Sequence, residues 1–255
     1  MTKQAKHFIF RKILFPIIVI LCVPVILIIF LKSPFDEILS LINFGFINNI
    51  EAFLNLLNEH FFFQLFIYFI LVFIFLRNYR KINDQALFNK GDIYLEIPYF
   101  IFRIATYLGY KIITLVRLPI GLQYKIVISD LFEKTETENH IEKNNIIKIK
   151  VYNKESELRD EVNLLLSDTY KVKENQIPLD KRNLRMIHID SGVDKEGTRI
   201  YNSDFVAEIE TQVHSLSKEC KRINVFSHTN THHNKSIIQG AFKKGGRDVL
   251  EELYV

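Results

Sequence analysis

The side chains best suited to chemistry gather late in this chain, in two short polar runs. One is Asp190-Ser191-Gly192; the other is Ser227-His228-Thr229-Asn230-Thr231-His232-His233-Asn234. Each follows an apolar stretch that reads as a strand, Leu184–Ile189 before the first and Ile223–Ser227 before the second. In open α/β sheets, ligands bind outside the carboxyl ends of the strands, where both runs fall. The second run opens a predicted helix, whose unpaired N–H groups and dipole favour an anion such as phosphate. Arg199, Lys235 and Arg247 add positive charge nearby. The candidate ligand-binding residues are Asp190, Ser191, Ser227, His228, Thr229, Asn230, Thr231 and Lys235. Helix capping by Thr231 or Asn234 is the competing use of the same loop.

The histidines also raise a metal reading. His228 and His232 stand four residues apart, and His188 and Asp190 share one face of a strand end. Zinc or another metal preferring N and O ligands accepts such a set, as in a metal-dependent hydrolase. Against this, the His-Glu-x-x-His pattern is absent and no cysteine pair marks a structural site. There is no Gly-x-Ser-x-Gly elbow and no Gly-x-x-x-x-Gly-Lys phosphate loop. Cys220, between Glu219 and Lys221, reads as an incidental helix-end thiol. We therefore expect no catalytic residues, no cofactor and no assigned metal ligands.

The flanking sequence supplies elements to hold these loops. Ile147–Val151 alternates with period two, as a half-buried strand does. Residues 154–170 read as a helix, capped by Asn153 or Ser156, and 203–217 as another, capped by Asn202 or Ser203. A third helix is predicted over 233–244, stopped by Gly245-Gly246, with 249–255 a last strand or helical turn. Tyr124–Ile128 reads as a strand leading into a polar linker, 130–145. Strands alternating with helices predict a Rossmann-like, mostly parallel, three-layer α/β domain over residues 123–255.

The first third of the chain is different. Residues 13–31 (ILFPIIVILCVPVILIIFL) hold no charge and lie between Lys12 and Lys32. Residues 61–76 (FFFQLFIYFILVFIFL) hold one Gln and no charge, between His60 and Arg77. At about 1.5 Å rise per residue, the first crosses a hydrocarbon core roughly 30 Å thick. The second reaches with snorkelling Arg77 and Arg80 and a locally thinner bilayer. A signal peptide would need small residues after its apolar run, whereas the run here ends in Phe30-Leu31-Lys32-Ser33-Pro34. The expectation is a transmembrane hairpin within residues 1–90, with spans at about 13–31 and 61–77.

Charge sets the orientation. Lys3, Lys6, Arg11 and Lys12 precede the first span, and Arg77, Arg80, Lys81 and Lys90 follow the second. Residues 33–59 have no Lys or Arg but carry Asp36, Glu37, Glu51 and Glu59. The positive-inside rule then puts both termini in the cytoplasm and residues 33–59 outside, with helical extensions expected in that loop. Residues 91–122 are expected to hold an amphipathic helix between Pro98 and Pro119. Arg103, Tyr107, Tyr110, Lys111, Thr114 and Arg117 fall on one side of it, and aliphatics on the other. Such a helix lies in the inner interface or packs on the soluble domain. The formal charge of +4 comes without a basic stripe, so direct DNA binding is not expected. Cys22 and Cys220 define no disulfide framework, consistent with a reducing compartment.

One segment carries a family resemblance. Arg222–Gly240 (RINVFSHTNTHHNKSIIQG) resembles the closing motif of SAVED domains, in which a strand ending in an aliphatic-Phe pair leads through a polar loop into a helix carrying Gly, then a final strand. Val225, Phe226 and Gly240 occupy those places. The resemblance implies a sensor of cyclic oligonucleotides in bacterial antiphage signalling, fused to a transmembrane effector. The expected function is a sensor-effector in the bacterial cell membrane, assembling from several copies, that binds a nucleotide-like messenger and disturbs the bilayer. The alternatives are a tethered adaptor for a protein partner and the metal-dependent hydrolase.

Overall fold

The computed structural model describes residues 2–32, 61–82, 86–87, 94–138, 140–143, 145–154, 160–193, 197–216, 219–243 and 252–255. The expected outer loop 33–59, Ser156 and Arg247 lie outside them. The chain divides into two compact units: Met1–Ala86 with Phe100–Lys111, and Leu87–Tyr99 with Ile112–Val255.

The first unit is helical. α1 (Lys3–Ile9), a π turn (Phe10–Leu14) and α2 (Phe15–Lys32) follow without a break. Thr2 starts α1, its Oγ1 accepting from the Ala5 N–H at 3.2 Å. Phe10, Phe15, Ile18, Ile26 and Ile29 are exposed around this helix, as expected of a surface meant for lipid. Lys3–Ile29 is long and apolar enough to cross a membrane. α3 (Phe61–Ile82) packs along α2, with the Tyr68 hydroxyl 3.5 Å from the Leu21 carbonyl. α4 (Tyr99–Tyr107) buries Phe102 and Ala105 and leaves Phe100 and Tyr107 exposed. The single helix expected between Pro98 and Pro119 therefore stops at Tyr107. Gly109 ends it with φ +94°, and a Cβ there would come within 2.9 Å of the Arg80 Cα, so only glycine permits this approach.

The second unit is built on two sheets. The smaller has the order β1-β2-β3, with β1 (Ala86–Leu87) short and β2 (Ile112–Thr114) parallel to β3 (Lys134–Glu136). The expected linker 130–145 thus contains a strand. Tyr124–Ile128, expected as a strand, is the second half of α5 (Ile120–Ile128). Its Tyr124, Ile126 and Val127 are buried together with Gln123, an arrangement that helical spacing provides and a half-exposed strand would not.

The larger sheet has the order β4-β6-β5-β7-β8: β4 (Lys148–Tyr152), β5 (Glu161–Ser167), β6 (Arg185–Asp190), β7 (Arg222–Ser227) and β8 (Glu252–Tyr254). β5, β6, β7 and β8 are mutually parallel, and β4 runs antiparallel on the β6 edge. The largest departure from expectation is β5, which lies inside the predicted helix 154–170 and forms the sheet centre. All seven of its residues are buried. Leu165 packs with Val172, Ile177, Met186 and Phe226 on one face, while Leu164 and Leu166 alternate to the other. A central parallel strand covered on both faces reads as a continuous apolar run, which periodicity cannot tell from a buried helix.

α6 (Ser203–His214) follows β6, and α7 (Thr231–Ile237), prolonged by a π turn (Ile238–Lys243), follows β7. β5 leads into β6 on one side and β7 into β8 on the other, so strand order reverses between β5 and β7. That reversal opens a crevice at their carboxyl ends.

Gly192, just beyond β6, has φ +71°, and a Cβ there would lie 2.2 Å from the Ile146 carbonyl oxygen. Gly192→Ala should therefore destabilise the domain by about 1–3 kcal/mol, measured as a lower thermal midpoint of the detergent-solubilised full chain.

Candidate functional site

The crevice is organised by a buried carboxylate that follows β5. The Asp168 side chain is fully inaccessible. Its Oδ1 accepts from the Ser191 hydroxyl at 2.9 Å, and its Oδ2 from Asn230 Nδ2 at 3.1 Å and the Asn230 N–H at 3.3 Å. Oδ2 also meets His233 Nδ1 at 2.8 Å. The Asn202 N–H donates to His233 Nε2 at 2.8 Å, so Nδ1 must carry the proton and donate it to Asp168. With both ring nitrogens engaged, His233 has no lone pair left to activate a nucleophile. Asp168 thus joins the ends of β5, β6 and β7 without being a catalytic dyad.

The backbone continues the sheet past the strands. The His228 N–H donates to the Leu166 carbonyl and the Thr169 N–H to the His228 carbonyl, both at 3.0 Å. Asn230 caps α7, its Oδ1 accepting from the His233 N–H at 2.9 Å, so neither Thr231 nor Asn234 is the N-cap. Asn202 caps α6 through the N–H groups of Asp204 and Phe205. Asn234 donates to Gln123 Oε1 at 2.9 Å, and Gln123 to the Leu118 carbonyl at 2.8 Å, tying α7 to α5. Tyr201 stacks on His232 at 4.1 Å and 18°, and on His233 at 5.1 Å.

Above these strand ends lies a pocket of about 500 Å³. Thr169, Tyr170, His228, Thr229, Asn230 and Thr231 form its floor, with Tyr94, Val116, Arg117, Ile120, Gln123, Glu138 and Arg199 around it. Arg199 pairs with Glu138 at 3.1 Å. Arg117 sits at φ +65°, a left-handed conformation that is uncommon for a residue with a Cβ. Thr169 Oγ1, Thr231 Oγ1 and His228 Nδ1 are buried without a hydrogen-bond partner among the described residues. Three unsatisfied polar atoms around one pocket are costly in a folded protein unless something else bonds them.

The eight predicted residues separate in space. His228, Thr229, Asn230 and Thr231 line the pocket. Asp190 accepts from the Gly192 N–H at 2.8 Å, and Ser191 is fully buried against Asp168. Ser227 bonds the Thr229 hydroxyl at 2.6 Å, and Thr229 in turn bonds Asn234. Lys235 donates to the Thr135 carbonyl at 2.8 Å. None of these four, Asp190, Ser191, Ser227 and Lys235, is a lining residue. Sequence reasoning missed Asp168, Thr169 and Tyr170 because they fell inside the predicted helix 154–170. The Ser-Asp-Thr that follows the apolar run of β5 was the available signal. The metal reading gains no support: among the described residues no three His, Cys, Asp or Glu side chains converge. His188 instead bonds Ser167 at 2.8 Å.

The architecture and the apolar N-terminal helix define a membrane-anchored α/β protein. More particularly, the chain belongs to the SMODS- and ubiquitin-system-associated 2TM effector domains, whose family model matches residues 2–255. It is a membrane effector module of a defence-type system, associated with a lipid bilayer. No curated protein matches it.

Two measurements test this site. Asp168→Ala strands the His233 Nδ1–H and the Asn230 and Ser191 donors, and should lower stability by about 3–5 kcal/mol in denaturant unfolding. Burial holds the pKa values of His140, His188 and His232 below the ordinary 6.5. Below that pH the unfolded chain binds more protons than the folded one, so stability falls as pH falls. The full chain should melt at a lower temperature at about pH 5.5 than at about pH 7.5, and His188→Gln should shrink the difference.

Proposed function

We propose that this chain is the membrane-disrupting effector of a nucleotide-triggered bacterial defence system. The observation that carries the reading is the set of unsatisfied polar atoms of Thr169, His228 and Thr231 around the switch-point pocket. A cyclic oligonucleotide supplies what the pocket lacks. Its base edges offer donors and acceptors to the threonines and His228. Its phosphates suit Arg117 and Arg199, and Tyr94 and Tyr170 offer rings for stacking. The SAVED-like reading of Arg222–Gly240 points the same way: β7 ends in Val225-Phe226-Ser227, a polar loop follows, and the α7 extension carries Gly240. The strand order supports a Rossmann-like reading of the domain, with the ligand at the reversal between β5 and β7.

In this proposal α2 and α3 are the two spans of a hairpin, over about 13–31 and 61–77 within residues 1–90. Residues 91–122 connect it along the inner interface to a cytoplasmic domain over 123–255. The basic flanks at Arg11, Lys12, Arg77, Arg80 and Lys81 put both termini in the cytoplasm. Several copies assemble, and the ligand drives membrane disruption because it prefers the assembled state over the resting one.

Full-length protein in dye-loaded liposomes, challenged with a panel of cyclic di- and oligonucleotides, is the test. One member of the panel should trigger release. Thr169→Val and His228→Ala should each weaken its binding by about 5–100-fold, the span expected for one lost buried hydrogen bond. Absence of binding across the panel, in protein shown to be folded, overturns the reading.

A further inference from the structure

A second pocket lies wholly within the first unit, and the nucleotide reading makes no use of it. It has a volume of about 370 Å³ and is lined by Arg11, Lys12, Phe15, Pro16, Val19, Tyr79 and Tyr110. Its construction begins with Pro16. A proline has no N–H, so the Lys12 carbonyl loses its normal helical donor four residues on. The helix responds with the π turn over Phe10–Leu14, in which the Phe15 N–H bonds the Phe10 carbonyl. The freed Lys12 carbonyl accepts instead from the Tyr110 hydroxyl, at 3.2 Å. Tyr110 is buried and reaches this place because Gly109 lets its turn lie against the Arg80 backbone. The Tyr79 hydroxyl stands beside that of Tyr110.

The result is a rigid polar end on an otherwise apolar hairpin. Arg11 and Lys12 supply two positive charges, and among the described residues neither has a carboxylate partner. No acidic side chain lines the pocket. Phe15, Pro16 and Val19 form an apolar wall leading toward the middle of α2. Arg11 and Lys12 immediately precede the uncharged run 13–31, and Tyr79 follows the run 61–76, so the pocket sits at one boundary of both apolar stretches. Tyrosine and basic side chains are favoured at that depth.

We propose that this pocket binds the headgroup phosphate of an anionic phospholipid. Arg11 and Lys12 hold the phosphodiester, Tyr79 donates a hydroxyl to it, and the glycerol and first acyl carbons lie on Phe15 and Val19. The occupant is a lipid because the pocket joins a polar, basic end to a larger apolar wall, and that wall faces along a helix built to meet acyl chains. A phosphate free in water would leave that wall unused.

The test is native mass spectrometry of the detergent-solubilised full chain in equimolar dioleoyl-phosphatidylglycerol and dioleoyl-phosphatidylcholine. The anionic lipid should be retained over the zwitterionic one by about tenfold, given two nearby cations. The Arg11→Gln, Lys12→Gln double variant should bring the ratio close to one. Arg77→Gln with Lys81→Gln removes equal charge outside the pocket and should keep most of the preference. A ratio near one in the unaltered chain overturns the proposal, as does an equal loss in the control variant. Displacement of the bound lipid by millimolar sn-glycerol 3-phosphate overturns it too, since a soluble phosphate ester would then be the occupant. The readout on the unaltered chain needs no variant to fold and is independent of any nucleotide response.

Discussion

A single buried carboxylate organises the carboxyl end of the larger sheet. Asp168 follows the central strand, and its partners Ser191, Asn230 and His233 come from the other connections at that edge. A charge in so dry a place is tolerable only when fully bonded. Four donors reach its two oxygens, counting both Asn230 groups separately. This fixes the turns after β5, β6 and β7 relative to one another. The pocket floor inherits that rigidity, since Thr169 is the next residue along and Asn230 lines the cavity while bonding Asp168. Satisfaction below and dissatisfaction above mark the contrast within this site. The supporting network is closed, whereas Thr169, His228 and Thr231 present buried polar atoms that no described residue meets.

The same accounting of backbone and polar groups explains the helical unit. A helical carbonyl that loses its N–H partner needs another donor. Pro16 creates such a gap near the start of the apolar run, and a tyrosine from a distant part of the chain fills it. That repair pins Tyr110 against the helix and leaves the side chains of Arg11 and Lys12 around a cavity that no acidic side chain among the described residues lines. A local irregularity in the helix thereby becomes a basic, mainly apolar site. Membership of the 2TM effector family gives the unit its membrane setting.

The parts of the fold legible in sequence were those with unambiguous patterns. The apolar N-terminal run, the alternation of β4, the strand-turn pairs at β6 and β7 and the Asn202 cap all follow from local chemistry. Three features did not. β5 reads as helix in sequence, because Val162, Leu164, Leu165 and Leu166 suit either structure when both faces are covered. α5 reads as strand, because Tyr124–Ile128 is β-branched and aromatic yet packs by helical spacing. The helix after Pro98 reads longer than it is, because its stop depends on Gly109 meeting Arg80, a contact far apart in sequence. Half of the candidate site is visible as the His-Thr-Asn loop; the other half, Asp168 to Tyr170, is hidden by the ambiguity of β5.

By itself, then, the sequence determined that an uncharged helix must seek lipid, that strands and helices alternate behind it, and that a polar loop follows β7. These depend on composition and on residues close in the chain. Tertiary structure alone decided which polar groups would be consumed and which left open. Ser191 and Asn230 face the same crevice, yet one is spent wholly on Asp168 and the other shared with the pocket. Thr169 looks like any loop threonine until the parallel pairing of β5 with β7 buries it beside His228. The physical reason is that hydrogen-bond satisfaction depends on neighbours brought together across some sixty residues of chain, which no local pattern can record.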